Sequence, residues 1–172
     1  ASNEVTGLAC QAGTIYVAGT SLGGWEGPTG EEPLHEYGAD FDGFVAAIAG
    51  DGTYLWHTFY GGPGYDASKA IALSDTGDLF VVGIADETWD GPGGEPPSFP
   101  HGHAGAYRAV ALALDPAGGY RWHAFLGAGT TFGMAAAALS DGSVVVAGTS
   151  SEPWDGPGGE APAAGVPGGD EM

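Results

Sequence analysis

Thr14-Ile-Tyr-Val-Ala-Gly-Thr-Ser21 recurs along the chain as Asp78-Leu-Phe-Val-Val-Gly-Ile-Ala85 and as Ser143-Val-Val-Val-Ala-Gly-Thr-Ser150. The shared glycines, Gly19, Gly83 and Gly148, are 64 and 65 residues apart. Self-similarity at a fixed period indicates a repeat architecture, in which each repeat is one supersecondary unit. We therefore divide the chain into a first repeat over residues 1–65, a second over 66–130 and a partial third over 131–172.

A second phrase, which begins with tryptophan, follows each of these glycines at the same offset. Its three copies are Trp25-Glu-Gly-Pro-Thr-Gly-Glu31, Trp89-Asp-Gly-Pro-Gly-Gly-Glu95 and Trp154-Asp-Gly-Pro-Gly-Gly-Glu160. A third phrase occurs twice, as Tyr54-Leu-Trp-His-Thr-Phe59 and Tyr120-Arg-Trp-His-Ala-Phe125. Phrases in a fixed order cannot arise by coincidence, and the third repeat is partial because it lacks the last phrase.

Each repeat is predicted to fold as two β-hairpins. In the first hairpin, Gly7–Gln11 and Thr14–Thr20 flank a turn that ends at Gly13, and the other repeats place Gly77 and Gly142 there. Glycine supplies the positive φ that tight hairpin turns need. The second strand of the first hairpin is almost continuously apolar, as in Leu79-Phe80-Val81-Val82, which predicts burial on both faces. In the first strand of the second hairpin, apolar residues alternate along one face. These residues are Phe44, Ala46 and Ile48 in the first repeat, and Val110, Leu112 and Leu114 in the second.

The composition supports an all-β fold, because 34 glycines and 12 prolines among 172 residues suit many short strands joined by turns. Four strands per repeat match one blade of a β-propeller. A propeller ring closes with about four to eight blades. We therefore expect about two and a half blades of roughly 65 residues, an incomplete ring on its own that needs further repeats or other chains as partners.

The phrases Val17-Ala-Gly-Thr-Ser21, Trp25-Glu-Gly-Pro28, Asp42-Gly-Phe-Val45 and Trp56-His-Thr-Phe-Tyr-Gly-Gly62 resemble the bacterial SBBP-type β-propeller repeat. The resemblance covers essentially the whole chain. It implies an exported or cell-surface protein with many such blades and no catalytic residues. This chain departs from the family in its Trp-His pair, where an amide residue is more usual, and in its longer loops.

The net charge of the chain limits the kinds of partner that it can bind. The chain has 22 acidic residues against Lys69, Arg108 and Arg121, which gives a net charge of −19. Such a surface repels phosphate backbones, so nucleic acid is excluded as a partner. No apolar run reaches 18 residues, so insertion into a membrane as a helix is also excluded. The single cysteine, Cys10, aligns with apolar positions and is predicted to be a small buried residue.

The tryptophan loops are the candidate ligand sites. Trp25, Trp89 and Trp154, with nearby carboxylates, have the chemistry to bind a glycan, because an exposed indole stacks on a sugar ring. The alternative is structural, with each tryptophan capping a blade edge. The carboxylates of this site are Glu31, Glu95 and Glu160. Carboxylates of these loops are also oxygen ligands suited to Ca²⁺, although no EF-hand spacing is present. No other cofactor is expected.

The remaining motifs give little support for catalysis or for a transition metal. His101-Gly-His103 places two imidazoles close together, but no third ligand lies near them in sequence. His57 and His123 recur at equivalent positions and are therefore predicted to be structural. The nucleophile elbow, the zinc-protease motif and the phosphate-binding loop are all missing from the sequence. We expect a structural or interaction module that is not an enzyme, with a carbohydrate-binding propeller and a propeller-based hydrolase as the alternatives.

Overall fold

The computed structural model describes residues 2–38, 40–102, 105–156, 159–161 and 163. Within these residues the chain is all-β, as predicted, with ten strands and no helix. Accordingly, the part of the chain described offers no helix that could cross a membrane. In chain order, the strands are β1 (Asn3–Gln11), β2 (Thr14–Ser21), β3 (Asp42–Ala49), β4 (Tyr54–Tyr60), β5 (Asp66–Leu73), β6 (Leu79–Ala85), β7 (Arg108–Leu114), β8 (Tyr120–Leu126), β9 (Thr131–Ala138) and β10 (Val144–Ser150).

The strands form three antiparallel sheets whose order follows the chain. The first sheet is β1-β2-β3-β4, the second is β5-β6-β7-β8, and the third contains β9 and β10. Each first hairpin turns at a glycine with positive φ, 83° at Gly13 and 91° at Gly77, which confirms the predicted turns. Every residue of β6 is buried, which confirms that its apolar run is covered on both faces.

The repeated glycine of the second strand is required by an irregularity in the pairing. In all three sheets the register of the first hairpin shifts beside this glycine, between Ser68 and Ala70 in the second sheet. The shift is typical of a β-bulge, and it brings the backbone of the first strand against the glycine. A Cβ atom on Gly83 would lie 1.9 Å from the carbonyl oxygen of Ala67, and one on Gly148 would lie 1.9 Å from that of Phe132. A side chain therefore has no room at this position.

The sheets pack face to face in sequence, with β5 against β1, β2 and β3 and with β9 against β5, β6 and β7. Ile71 of β5 packs over Gly7 of β1, where an added Cβ would lie 3.1 Å from the isoleucine side chain. Polar bonds cross the same junction, from Thr6 Oγ1 to the carbonyl oxygen of Ser68 at 2.8 Å and from Gln11 Nε2 to that of Ser74 at 3.1 Å. The buried core lies mostly between the first two sheets.

Two sheet faces at opposite ends of this stack are open. On the first sheet, Val5 and Leu8 of β1 are 60% and 62% exposed. On the third, Met134 is 53% and Val145 is 50% exposed. Cys10 lies on β1 among the open positions and is exposed, so the prediction that it is buried is wrong. Its equivalent in β5, Leu73, packs against the core because the first sheet covers it.

Candidate functional site

The tryptophan loop has the same two backbone hydrogen bonds in all three repeats. In the second, the N–H of Gly91 donates to the carbonyl oxygen of Glu95 at 2.7 Å and that of Gly94 to Gly91 at 2.8 Å. The equivalent bonds join Gly27 to Glu31 and Gly156 to Glu160, at 2.7 and 2.6 Å. The turn is thus a local structure that the repeated glycines and glutamate define.

The carboxylates of this loop interact with the loop itself. Glu95 accepts the N–H of Gly93 at 2.8 Å, and Glu31 accepts the N–H of Thr29 at 2.9 Å as well as its hydroxyl. These bonds from Thr29 lower the pKa of Glu31. The carboxylate of Glu160 lies close over Gly156. The predicted glutamates therefore have a role in shaping the turn.

Each loop tryptophan of the two four-stranded sheets stacks on the repeated histidine. The rings of Trp89 and His123 are 3.9 Å apart and nearly parallel, at 9°, and those of Trp25 and His57 are 3.8 Å apart at 12°. Both histidines are completely buried. The tryptophan loop is therefore fixed to the outermost strand of its own sheet, β4 or β8, as the structural hypothesis for the histidines requires.

Hydrogen bonds fix the tautomer of these histidines. Nε2 of His123 lies 2.9 Å from the carbonyl oxygen of Trp89, and Nδ1 lies 2.7 Å from the hydroxyl of Tyr120. The carbonyl can only accept, so Nε2 carries the proton and Nδ1 accepts from the tyrosine. His57 has the same two partners in Trp25 and Tyr54, at 2.8 and 2.5 Å. We call the Trp, His and Tyr residues of one sheet its aromatic latch.

Burial lowers the pKa of both latch histidines below the ordinary value of 6.5. The folded protein therefore favours the neutral imidazole, which can accept the tyrosine hydroxyl. Because the pKa is lowered on folding, the stability from each latch is fully present above about pH 6.5 and is lost as the pH falls through the lowered value. The latch therefore holds the tryptophan loop in place, and both ring nitrogens of its histidine are engaged in hydrogen bonds.

The exposure of the three tryptophans differs although their sequence context is the same. Trp89 is 8% exposed, Trp25 is half-buried, and Trp154 is 38% exposed. Trp89 lies at the junction of the first two sheets, where its ring is 6.4 Å from that of Tyr60. The stacking face that a sugar would need is covered at Trp89, so glycan binding stays a prediction for the other two positions.

A pocket of about 440 Å³ lies beside Trp25 on the open end of the first sheet. Tyr37 and Phe59 line it together with Glu26, Glu32 and Glu36. The equivalent loop of the second sheet lies at the junction with the first sheet, where Gly62 approaches Trp89. The pocket therefore occupies the position that a neighbouring sheet covers elsewhere in the same chain.

A buried carboxylate pair that the sequence did not single out lies where the first two sheets meet. Asp66 begins β5 and Asp42 begins β3, and they are 3% and 1% exposed. A Cβ on Gly61 would lie 2.5 Å from Asp42 Oδ1 and 3.0 Å from Asp66 Oδ2, so the carboxylates flank this glycine. Asp66 accepts the indole N–H of Trp89 at 3.1 Å and the N–H of Gly62 at 2.7 Å.

Burial, with the negative charge of Asp42 in addition, raises the pKa of Asp66 to about 7. A carboxyl group whose pKa is raised on folding stabilises the protein below its unfolded value near 4, and that stability is lost as the pH rises through 7. We therefore expect the contribution of Asp66 to the free energy of unfolding to fall by about 4 kcal/mol as the pH rises from 4 to 8. Asp66→Asn keeps an oxygen for Trp89 and should abolish this part of the pH dependence.

The measurement is the free energy of unfolding in urea at pH values from 4 to 8, taken as the difference between the wild type and Asp66→Asn. This difference isolates Asp66, because the other titrating groups are common to both proteins. Asp75→Asn, in the exposed turn between β5 and β6, is the control and should leave the profile unchanged to within about 0.5 kcal/mol. A difference that does not vary with pH would contradict the assignment of a buried proton to Asp66.

The histidine pair of the sequence is only partly within the structure. His103 lies outside the described residues, and His101 is buried, with Nε2 3.2 Å from the carbonyl oxygen of Ala85. Arg108 donates from Nε to the carbonyl oxygen of His101 at 3.0 Å. Among the residues that the structure describes, no group of three or more His, Cys, Asp or Glu side chains is arranged to hold a metal ion. The calcium hypothesis therefore gains no support from the geometry.

A scan against models of known protein families finds no match to this chain, and a search of curated proteins finds no similar sequence.

Proposed function

We propose that this chain is a non-catalytic structural module whose sheets are propeller blades and which assembles with further copies of the same repeat through its two open faces. An exported or cell-surface location belongs to this proposal and depends on the resemblance alone. The supporting observation is that the two open faces are the two sides of one sheet-to-sheet contact already present inside the chain.

The register of the hairpins establishes which positions are equivalent. Leu8 pairs with Val17, Ile71 with Val81 and Ala136 with Val146, and each of these valines lies two residues before the repeated glycine. Leu8 is therefore the equivalent of Ile71, which packs over Gly7 of the preceding sheet. We call the face of the first sheet that carries Val5 and Leu8 the projecting face.

The open side of the third sheet corresponds to the side that accepts Ile71. Val145 is equivalent to Tyr16 of the first sheet, because they pair with Ala137 and Ala9, which occupy the same register. Tyr16 is buried and bonds across the junction to the carbonyl oxygen of Pro116 at 3.4 Å. We call the exposed surface formed by Met134, Leu139 and Val145 the receiving face. The projecting face of one copy can therefore pack on the receiving face of another copy, in the same way as the second sheet packs on the first.

Contact between two different faces is heterologous, so it either closes a ring or grows along one direction. The exposed apolar residues on both faces favour burial against a partner. The chain carries a net charge of −19, and repulsion between copies opposes their association at low ionic strength. Salt should therefore strengthen the assembly.

The test is the molar mass in solution by multi-angle light scattering at 0.15 M salt or above. We expect a mass of at least two chains. Leu8→Lys on the projecting face and Val145→Lys on the receiving face should each give a monomer, because a buried, unpaired charge is costly. Leu34→Lys is the control: Leu34 is 55% exposed and lies beside Gly118 at the junction of the first two sheets, on neither open face, so the mass should be unchanged.

Mixing the two lysine variants distinguishes this arrangement from a symmetric dimer. The Leu8→Lys chain retains its receiving face, and the Val145→Lys chain retains its projecting face. An equimolar mixture should therefore recover pairs of chains that neither variant forms alone. A wild-type monomer at 100 µM, or a mixture that stays monomeric while the wild type associates, would overturn the proposed head-to-tail contact.

A further inference from the structure

The second strand of the third sheet has a free edge among the described residues. In the four-stranded sheets the equivalent strands, β2 and β6, pair on both sides, with β3 and β7 as their outer neighbours. Within the part of the chain described, β10 pairs only with β9. The edge of β10 therefore presents a row of backbone N–H and C=O groups that can pair with an added strand.

A cavity of about 390 Å³ lies along this edge, between the second and third sheets. Ala109 and Leu126 line it from the second sheet, and Val144, Val146 and Trp154 line it from the third. In the second sheet the equivalent of Val146 is Val81, which is 3% exposed because β7 and the first sheet cover it. The cavity is thus an apolar space beside an unpaired strand.

Trp154 supplies an independent observation. Its loop has the same backbone hydrogen bond as the loops of Trp25 and Trp89, from the N–H of Gly156 to the carbonyl oxygen of Glu160. The other two indoles stack on a histidine of the fourth strand of their sheet. Trp154 is 38% exposed and lines the cavity. Among the described residues, its indole has no histidine stacked on it, unlike the indoles of Trp25 and Trp89.

We propose that the edge of β10, with the cavity and Trp154, is a docking site for a β-hairpin of the repeat's own outer type, with the pattern Tyr-x-Trp-His-x-Phe on its second strand. The hairpin completes the third sheet by adding two antiparallel strands, and its histidine stacks on Trp154. This inference rests on the assembly proposed above for its biological setting, but the binding itself needs only the equivalence of the three sheets.

The register of the docked hairpin follows from the two complete sheets. Ser21 pairs with Asp42 and Ala85 with Arg108, so the first residue of the incoming strand pairs with Ser150. The third residue, Phe44 or Val110 in the complete sheets, lies opposite the repeated glycine. Gly148 therefore leaves space for an apolar side chain there, and a charged residue at that position should prevent docking.

The probe is a synthetic peptide with the sequence of residues 42–61, which spans β3 and β4. Titration calorimetry with the full chain should give one site per chain. Hydrogen exchange followed by NMR should show slower exchange at the β10 amides and a shifted indole N–H signal for Trp154. A peptide in which the position of Phe44 carries aspartate should not bind.

Trp154→Ala, and separately the peptide in which the position of His57 carries alanine, should each weaken binding about tenfold, because each change removes a stacked aromatic pair together with its buried surface. Leu139→Lys, on the receiving face, should leave peptide binding unchanged, and circular dichroism should show that both protein variants are folded. The proposal would be overturned if Trp154→Ala bound the peptide with the affinity of the wild type, or if exchange slowed at amides other than those of β10. It would also be overturned if the wild type bound no peptide at 1 mM.

The outcomes separate this site from the proposed assembly. Failure of the peptide to bind while the wild type still associates through its open faces would overturn only the docking site. Binding of the peptide by a monomeric wild type would support the site and overturn the assembly. A dimer that persists in both Leu8→Lys and Val145→Lys would point to pairing of two β10 edges, and that result overturns the hairpin as the occupant.

Discussion

Gly83→Ala should abolish folding or destabilise the chain by more than about 4 kcal/mol, which is a large part of the stability of an ordinary domain. The added Cβ would lie 1.9 Å from the carbonyl oxygen of Ala67 and 2.9 Å from its carbonyl carbon. Both are backbone atoms of a paired strand, so no side chain can move aside. Relief requires breaking the hairpin of β5 and β6, which lies in the middle of the stack.

The measurement is urea unfolding monitored by circular dichroism and by tryptophan fluorescence. Gly142→Ala is the matched control, because an added Cβ meets nothing within 4 Å although φ is 85°. The control should cost only about 1 kcal/mol, the ordinary penalty of a left-handed residue that is not glycine. If the Gly83→Ala protein were as stable as the Gly142→Ala protein, the result would contradict the close approach of the Ala67 carbonyl group to Gly83.

His123→Ala should destabilise the protein by about 3 kcal/mol or more. The substitution removes a completely buried ring that stacks on Trp89, and it leaves the Trp89 carbonyl and the Tyr120 hydroxyl without this partner. A cavity remains where the imidazole was, which adds to the cost. Unfolding in urea at pH 8, where the histidine of the wild type is neutral, measures the effect.

Two variants make this prediction specific to the aromatic latch. His123→Gln keeps one donor and one acceptor and should recover part of the loss, because the two hydrogen bonds can form without the ring. His57→Ala removes the equivalent residue beside the half-buried Trp25 and should cost less than His123→Ala. Equal stability of His123→Ala and His123→Gln would contradict a role for the two hydrogen bonds.

The fold was largely predictable from the sequence because the repeat marks its own boundaries. Glycines at the turns and the apolar run of β6 predicted the hairpins, and the structure confirms both. The structural role of His57 and His123 was also inferred from their repetition. Periodicity was informative here because each strand must satisfy the same local geometry in every copy.

Features that depend on neighbouring sheets could not be predicted in the same way. Asp42 and Asp66 are far apart in sequence, and Asn3 stands at the position of Asp66 in the first sheet, so no repeated pattern marks the buried carboxylate pair. Cys10 aligns with the apolar Leu73 yet is exposed, because burial on the inner strand comes from the preceding sheet. The lower exposure of Trp89 compared with Trp25 has the same cause.

The aromatic latch also bears on how such a chain can lengthen during evolution. Trp25 and His57 are 32 residues apart, and Trp89 and His123 are 34 apart, so each latch lies inside one period of the repeat. A gene duplication that copies about 65 residues therefore copies a complete latch, together with the glycine that its hairpin requires. New sheets can be added without compensating substitutions in the old ones, and the number of sheets is free to vary between descendants.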